Sequence, residues 1–106
     1  MAWTILFVAG LLEVVWAFSM KQSAGFTRLY PSLVTIIAMI GSFGLLAWSM
    51  RVLPLGTAYT VWTGIGAVGA LLMGILFLGE SLTAMRMLAA AMIIGGLVLM
   101  RVSAAG

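Results

Sequence analysis

The chain has 106 residues, of which 65% are hydrophobic and only 7% are charged, and its formal net charge is +3. Soluble domains carry about 25% charged residues, so this composition excludes an ordinary water-soluble fold. The sequence has no cysteine, no histidine and only two acidic side chains, which argues against disulfides, a metal site and a cofactor, and its scattered basic residues form no patch for nucleic acid.

Four apolar segments are separated by short polar breaks, and we predict one transmembrane helix in each. The predicted helices cover about residues 2–20, 30–50, 57–78 and 84–100, each near the ~20 residues that cross the hydrocarbon core. Backbone groups in lipid need internal partners, which favours helices. Pro31 suits the first turn of the second helix, and Thr57 is a candidate N-cap for the third. The predicted fold is all-α, with one four-helix transmembrane domain over residues 1–106.

Loop charges give these helices only a weak preference for one orientation. With four spans, the first and third loops share one side and carry Lys21, Arg28 and Arg86, whereas Arg51 and Arg101 lie on the other side. Three cations against two is a small positive-inside bias. The sequence therefore favours insertion in both orientations and an antiparallel homodimer, and a single orientation is the alternative.

Glu13 is the only charged residue in the first apolar segment before Lys21. A carboxyl group near the bilayer midplane is costly, and such groups usually mark a pathway for ions, protons or substrate. The alternative is a structural acid that hydrogen-bonds between helices. Glu80, in contrast, lies in a Gly-Glu-Ser turn and is interpreted as an ordinary loop charge.

Helical spacing places Gly10 and Trp16 on the same face of the first helix as Glu13. Glycine permits a close approach beside the acid, and the indole N–H of Trp16 is suited to orienting a carboxylate. Both residues are therefore candidates for a site built around Glu13. An interface anchor is the alternative interpretation of any transmembrane tryptophan.

The second and third helices offer further polar groups at membrane depth. On the third helix one face carries Tyr59, Trp62, Thr63 and Gly66, and on the second helix Ser42 lies one turn after Met39. These residues could supply hydroxyl and indole donors to the same chamber. The alternative for Ser42 is a hydrogen bond back to its own helix.

A carboxyl group in a low-dielectric site resists ionisation, whereas a cation in the same chamber favours its ionised form. Protons and a small cation would then compete for Glu13, which is the minimal device for proton-coupled antiport. Aromatic walls would add cation–π attraction. The residues around Glu13 thus predict cation or proton transport without selecting the substrate.

Small residues in the last two helices indicate close packing. Gly64 and Gly66 permit either a pivot during transport or plain tight packing of the third helix. Gly95 and Gly96 lie in a fourth helix without polar residues between Arg86 and Arg101. That pattern is typical of a helix that dimerises through small residues.

Two runs, Gly-Leu-Leu-Glu-Val-Val-Trp-Ala at 10–17 and Leu-Pro-Leu-Gly-Thr-Ala-Tyr-Thr-Val-Trp-Thr-Gly-Ile-Gly at 53–66, make the chain similar to a known family. It resembles the small multidrug resistance family of bacterial inner-membrane exporters. The resemblance implies an antiparallel homodimer that exchanges protons for cations and is not an enzyme. It also implies that Glu13 binds substrate and protons.

Within that family the chain looks like the guanidinium-exporter branch, because Trp16 and Met39 stand where the drug-exporting branch has a small residue and an aromatic residue. The resemblance implies that Trp16, Ser42, Tyr59 and Trp62 hold the carboxylates or line the site. The expected substrates are guanidinium and small substituted guanidinium cations. Two alternatives are an exporter of quaternary ammonium and other hydrophobic cations, and a non-transporting membrane subunit with a structural buried acid.

Overall fold

The computed structural model describes residues 1–103, and within them the chain forms four α-helices. They are α1 (Ala2–Gln22), α2 (Leu29–Ser49), α3 (Leu55–Phe77) and α4 (Ala84–Ser103). Each helix is long and apolar enough to cross a membrane. The prediction of an all-α fold with four membrane-spanning helices is confirmed.

The start of α3 differs from the prediction. Its N-cap is Pro54, with an extended backbone (φ −61°, ψ 151°), and the helix begins at Leu55. The prediction of Thr57 as the N-cap was wrong, because proline's fixed φ lets the chain enter the helix directly behind it, and Thr57 lies inside the first turn. Pro31 lies in the first turn of α2 as predicted.

α1 lies at the centre of the helix arrangement and packs extensively on both α2 and α3, whereas α2 and α3 approach each other only slightly. The buried core formed between these helices contains Leu6, Ala9, Leu46, Ala58, Val61 and Trp62. Glu13 lies near the middle of α1, so the packing of α1 on its neighbours decides what surrounds the carboxyl group.

The backbone of α4 approaches α3 alone, and α4 has no buried residue. Two charged contacts hold its ends. Arg86 donates a hydrogen bond to Glu80 at 3.0 Å, and the Arg101 guanidinium lies 4.7 Å from the ring centre of Trp3 on α1. Glu80, interpreted from the sequence as an ordinary loop charge, is therefore the ion-pair partner of the first turn of α4.

Candidate functional site

The carboxyl group of Glu13 is turned toward α3 and packs against Gly66. A Cβ atom at position 66 would overlap the carboxyl group of Glu13, so only glycine leaves room for it in this arrangement. Its Oε1 atom is buried without a hydrogen-bond partner among residues 1–103. The site therefore contains a buried acceptor whose bonding capacity is unused within one chain.

Two further glycines bring α1 and α3 close together on either side of this contact. A Cβ atom on Gly10 would lie 2.7 Å from Cγ2 of Ile65, and one on Gly69 would overlap the side chain of Val14. Gly10 lies on α1, whereas Gly69, like Gly66, lies on α3, and each glycine receives a side chain of the opposite helix. This tight interface fixes the position of the Glu13 carboxyl group relative to α3.

Ser42 joins the first three helices through buried hydrogen bonds. Its hydroxyl group donates to the backbone carbonyl of Ala9 on α1 at 2.7 Å and accepts a hydrogen bond from Nε1 of Trp62 on α3 at 2.9 Å. Ser42 is fully buried and Trp62 is 7% exposed. Ser42 thus bonds across helices, and the alternative of a bond back to its own helix was wrong for this residue.

A continuous row of aromatic rings runs beside these hydrogen bonds. The Phe43 ring centre lies 6.2 Å from Trp16 and 5.6 Å from Trp62, both in edge-to-face geometry. Tyr59 follows, with its ring centre 5.8 Å from that of Trp62. Aromatic pairs at these distances attract one another beyond simple burial, and the row presents π-systems from all three helices.

The structure brings some of the predicted site residues together but does not hydrogen-bond them to Glu13. The polar atoms of Ser42 and Trp62 are engaged with each other and with Ala9. Nε1 of Trp16 is buried without a partner among residues 1–103, and Tyr59 is half-exposed. Their roles toward the carboxylate therefore stay predictions.

The small residues singled out in the last two helices fall into two environments. A Cβ atom on Gly64 would lie 2.6 Å from Cδ2 of Leu97, so Gly64 is where α4 packs closely on α3. Around Gly95 and Gly96 there is open space. A single chain does not test whether α3 pivots at Gly64 and Gly66. It also does not test the predicted dimer contact at Gly95 and Gly96.

The family model described as "Small Multidrug Resistance protein" matches residues 1–93 of this sequence. The chain belongs to the small multidrug resistance family. Because it is a member of this transporter family and has four membrane-spanning helices, it is a multi-pass transporter of the bacterial inner membrane.

Several curated members of the small multidrug resistance family are very similar to this chain. Proteins called "Guanidinium exporter" from Citrobacter freundii and from Escherichia coli strain K12 are each 56% identical over 103 residues, which is 97% of this chain and 98% of each relative. A protein of the same name from Salmonella typhimurium strain LT2 is 55% identical over 104 residues, covering 98% of this chain and 99% of the relative.

Sequence reasoning missed two participants in the site of this small multidrug resistance protein. Phe43 links the rings of Trp16 and Trp62, and the backbone carbonyl of Ala9 accepts the bond from Ser42. Phe43 lies four residues after Met39 and thus on the same side of α2, which was a usable signal. No sequence signal could have identified the Ala9 carbonyl, because every residue carries a backbone carbonyl.

Proposed function

We propose that this transporter exports guanidinium and small substituted guanidinium cations in exchange for protons. The observation that carries the proposal is the buried, unbonded oxygen of Glu13 in the middle of an apolar helix. The names of relatives that are 55–56% identical along nearly their whole length support the choice of substrate.

Guanidinium suits such a carboxylate because it is planar and carries several N–H donors. Carboxylates bind this group through two parallel hydrogen bonds, as they do in arginine pairs. The ring faces of Trp16, Phe43, Trp62 and Tyr59 would add cation–π attraction around the bound ion. Binding of the cation would supply the partners that Glu13 lacks within one chain.

Proton exchange follows from the same carboxyl group. A proton on Glu13 removes the negative charge that holds the cation, and a bound cation disfavours protonation. Each Glu13 therefore carries either a proton or a share of the cation at one time. Alternating between these two states on opposite sides of the membrane would couple export to proton entry.

We also propose that two copies assemble in opposite orientations. The nearly balanced loop charges favour insertion both ways round, and two copies would bring two Glu13 carboxylates to one cation. The exposed α4, with open space at Gly95 and Gly96, offers small residues to a second copy. The single domain predicted over residues 1–106 would then be half of the working unit.

Cysteines introduced in the first loop test this orientation. In cells, a membrane-impermeant thiol reagent should label a fraction of the copies from outside, and the remainder only after the membrane is opened. Adding two or three lysines to one loop should bias insertion and lower export, and an oppositely biased copy should restore it. Labelling from one side alone would refute the antiparallel assembly.

The substrate and its coupling are tested with purified protein in liposomes that contain a pH-sensitive dye. A guanidinium gradient should drive protons in the opposite direction, whereas a tetraalkylammonium gradient of equal size should drive little proton movement. The reverse ranking would support the second candidate, an exporter of quaternary ammonium ions, which the aromatic row also favours. Transport of guanidinium without proton movement would refute the coupling.

A further inference from the structure

The tight interface between α1 and α3 opens into a crevice toward the first and third loops. Beyond the contact of Val14 with Gly69, the helices leave a cavity of about 370 Å³. Its walls are apolar, and its charged members, Lys21 and Glu80, come from the loop ends of α1 and α3. The apolar lining consists of Ala17, Phe18, Ala70, Met73 and Leu78.

The two charges at this crevice differ in what they contact. Glu80 folds back over Gly74, where a Cβ atom would overlap its carboxylate, and it pairs with Arg86 at 3.0 Å. Lys21 is exposed and takes part in no ion pair within residues 1–103. With Arg86 balancing Glu80, the ammonium group of Lys21 is the uncompensated charge at the crevice.

We propose that the crevice binds an anionic phospholipid, with one acyl chain against the apolar lining and the headgroup phosphate at Lys21. Lys21 lies at the end of a membrane-spanning helix, where a long side chain extends to the headgroup level. A lysine near the membrane surface attracts anionic lipid headgroups electrostatically. The alanines Ala17 and Ala70 leave the space that a chain of methylene groups requires.

A second copy of the protein fits this position less well. The only acidic side chains in the sequence are Glu13 and Glu80, and Glu80 is already paired with Arg86. In an antiparallel dimer, the neighbouring end of the partner would carry Arg51 and Arg101, which repel Lys21. A lipid phosphate would supply the negative charge that neither chain offers to Lys21 through an acidic side chain.

Native mass spectrometry of the detergent-purified protein tests the headgroup contact. The probe is an equimolar mixture of palmitoyl-oleoyl phosphatidylglycerol and phosphatidylcholine, which differ in charge and share their acyl chains. The wild type should retain phosphatidylglycerol about fivefold better, as expected for one cation beside an anionic headgroup. Lys21→Gln should abolish this preference, and the matched control Arg28→Gln, which removes a loop cation outside the crevice lining, should keep it.

Filling the crevice tests the acyl-chain contact from both helices. Ala17→Leu on α1 and Ala70→Leu on α3 should each reduce retention of both lipids, whereas Ala67→Leu, at an exposed position of α3 outside the crevice, should not. Circular dichroism and size-exclusion chromatography establish that each variant is folded. The proposal is overturned if the Lys21 variant keeps the headgroup preference, if both crevice variants retain lipid normally, or if the wild type retains none.

Discussion

The unit formed by α1, α2 and α3 and the fourth helix are stabilised in different ways. Within the first three helices, close contacts at glycines and the hydrogen bonds from Trp62 to Ser42 and from Ser42 to Ala9 join the helices to one another. α4 has no buried residue and is held by the packing of Leu97 on Gly64 and by charged contacts at its two ends.

The difference separates the tasks of the two regions. The proposed transport chemistry needs a carboxylate in a defined position, and the first three helices supply that position through contacts that leave little freedom. The backbone of α4 approaches α3 alone, and its exposed apolar surface is suited to assembly. Changes in the first region should therefore alter transport at constant assembly, whereas changes in α4 that weaken assembly should lower transport through loss of the dimer.

Among changes in the first three helices, Glu13→Gln should have the largest effect on transport. The amide keeps the size of the side chain but can bind neither a proton nor a cation by charge, so we expect no guanidinium-coupled proton movement in liposomes. The folded dimer should persist, because a neutral amide costs less to bury than a carboxylate. Glu13→Asp should retain part of the transport activity with a shifted pH dependence. Coupled transport by the Gln variant would show that Glu13 is not part of the mechanism.

Gly66→Ala should come next. The added methyl group occupies the space of the Glu13 carboxyl group, so the carboxylate must move and guanidinium affinity should fall about tenfold, or ~1.4 kcal/mol. The side chain of Glu13 is flexible, so we expect folding to survive. Gly44→Ala on α2 is the matched control, because open space surrounds Gly44. Equal guanidinium affinities of the two variants would show that the contact of Glu13 with Gly66 does not contribute to binding.

Tyr59→Phe tests whether the phenol acts on Glu13 or only packs beside Trp62. The ring and its contact at 5.8 Å are retained, and only the hydroxyl group is lost. If the phenol orients the carboxylate in the dimer, the transport rate should fall several-fold while the dimer forms normally. An unchanged rate in the liposome assay would assign Tyr59 to packing alone.

The sequence predicts the four helices well but gives little of the detail around Glu13. Hydropathy over about 20 residues depends only on local composition, and an isolated acid such as Glu13 is visible at once. The hydrogen bond of Ser42 to Ala9 joins residues 33 positions apart. The contact of the Glu13 carboxyl group with Gly66 depends on how α1 and α3 are aligned, which local sequence does not specify. The ion pair of the loop charge Glu80 was not predicted for the same reason, since its partner Arg86 lies on the following helix.

Ser42→Ala should give the smallest effect of this series. Loss of the hydroxyl group removes the link among α1, α2 and α3, and we expect a loss of about 1 kcal/mol in the free energy of unfolding, as for other hydrogen bonds between membrane helices. Ser49→Ala is the control, because Ser49 donates only to Leu45 of its own helix at 2.9 Å. Chemical unfolding in detergent compares the two, and a loss no larger at Ser42 would contradict the proposed link.

The most direct test of the central claim is the guanidinium affinity of the wild type as a function of pH, measured by calorimetry over roughly pH 5–9, a range that brackets the titration of buried carboxyl groups. Protons and guanidinium compete for Glu13 in our account, so the affinity should weaken steadily as the pH falls and reach a plateau in alkali. An affinity that stays constant across this range would contradict the competition and leave Glu13 a structural acid.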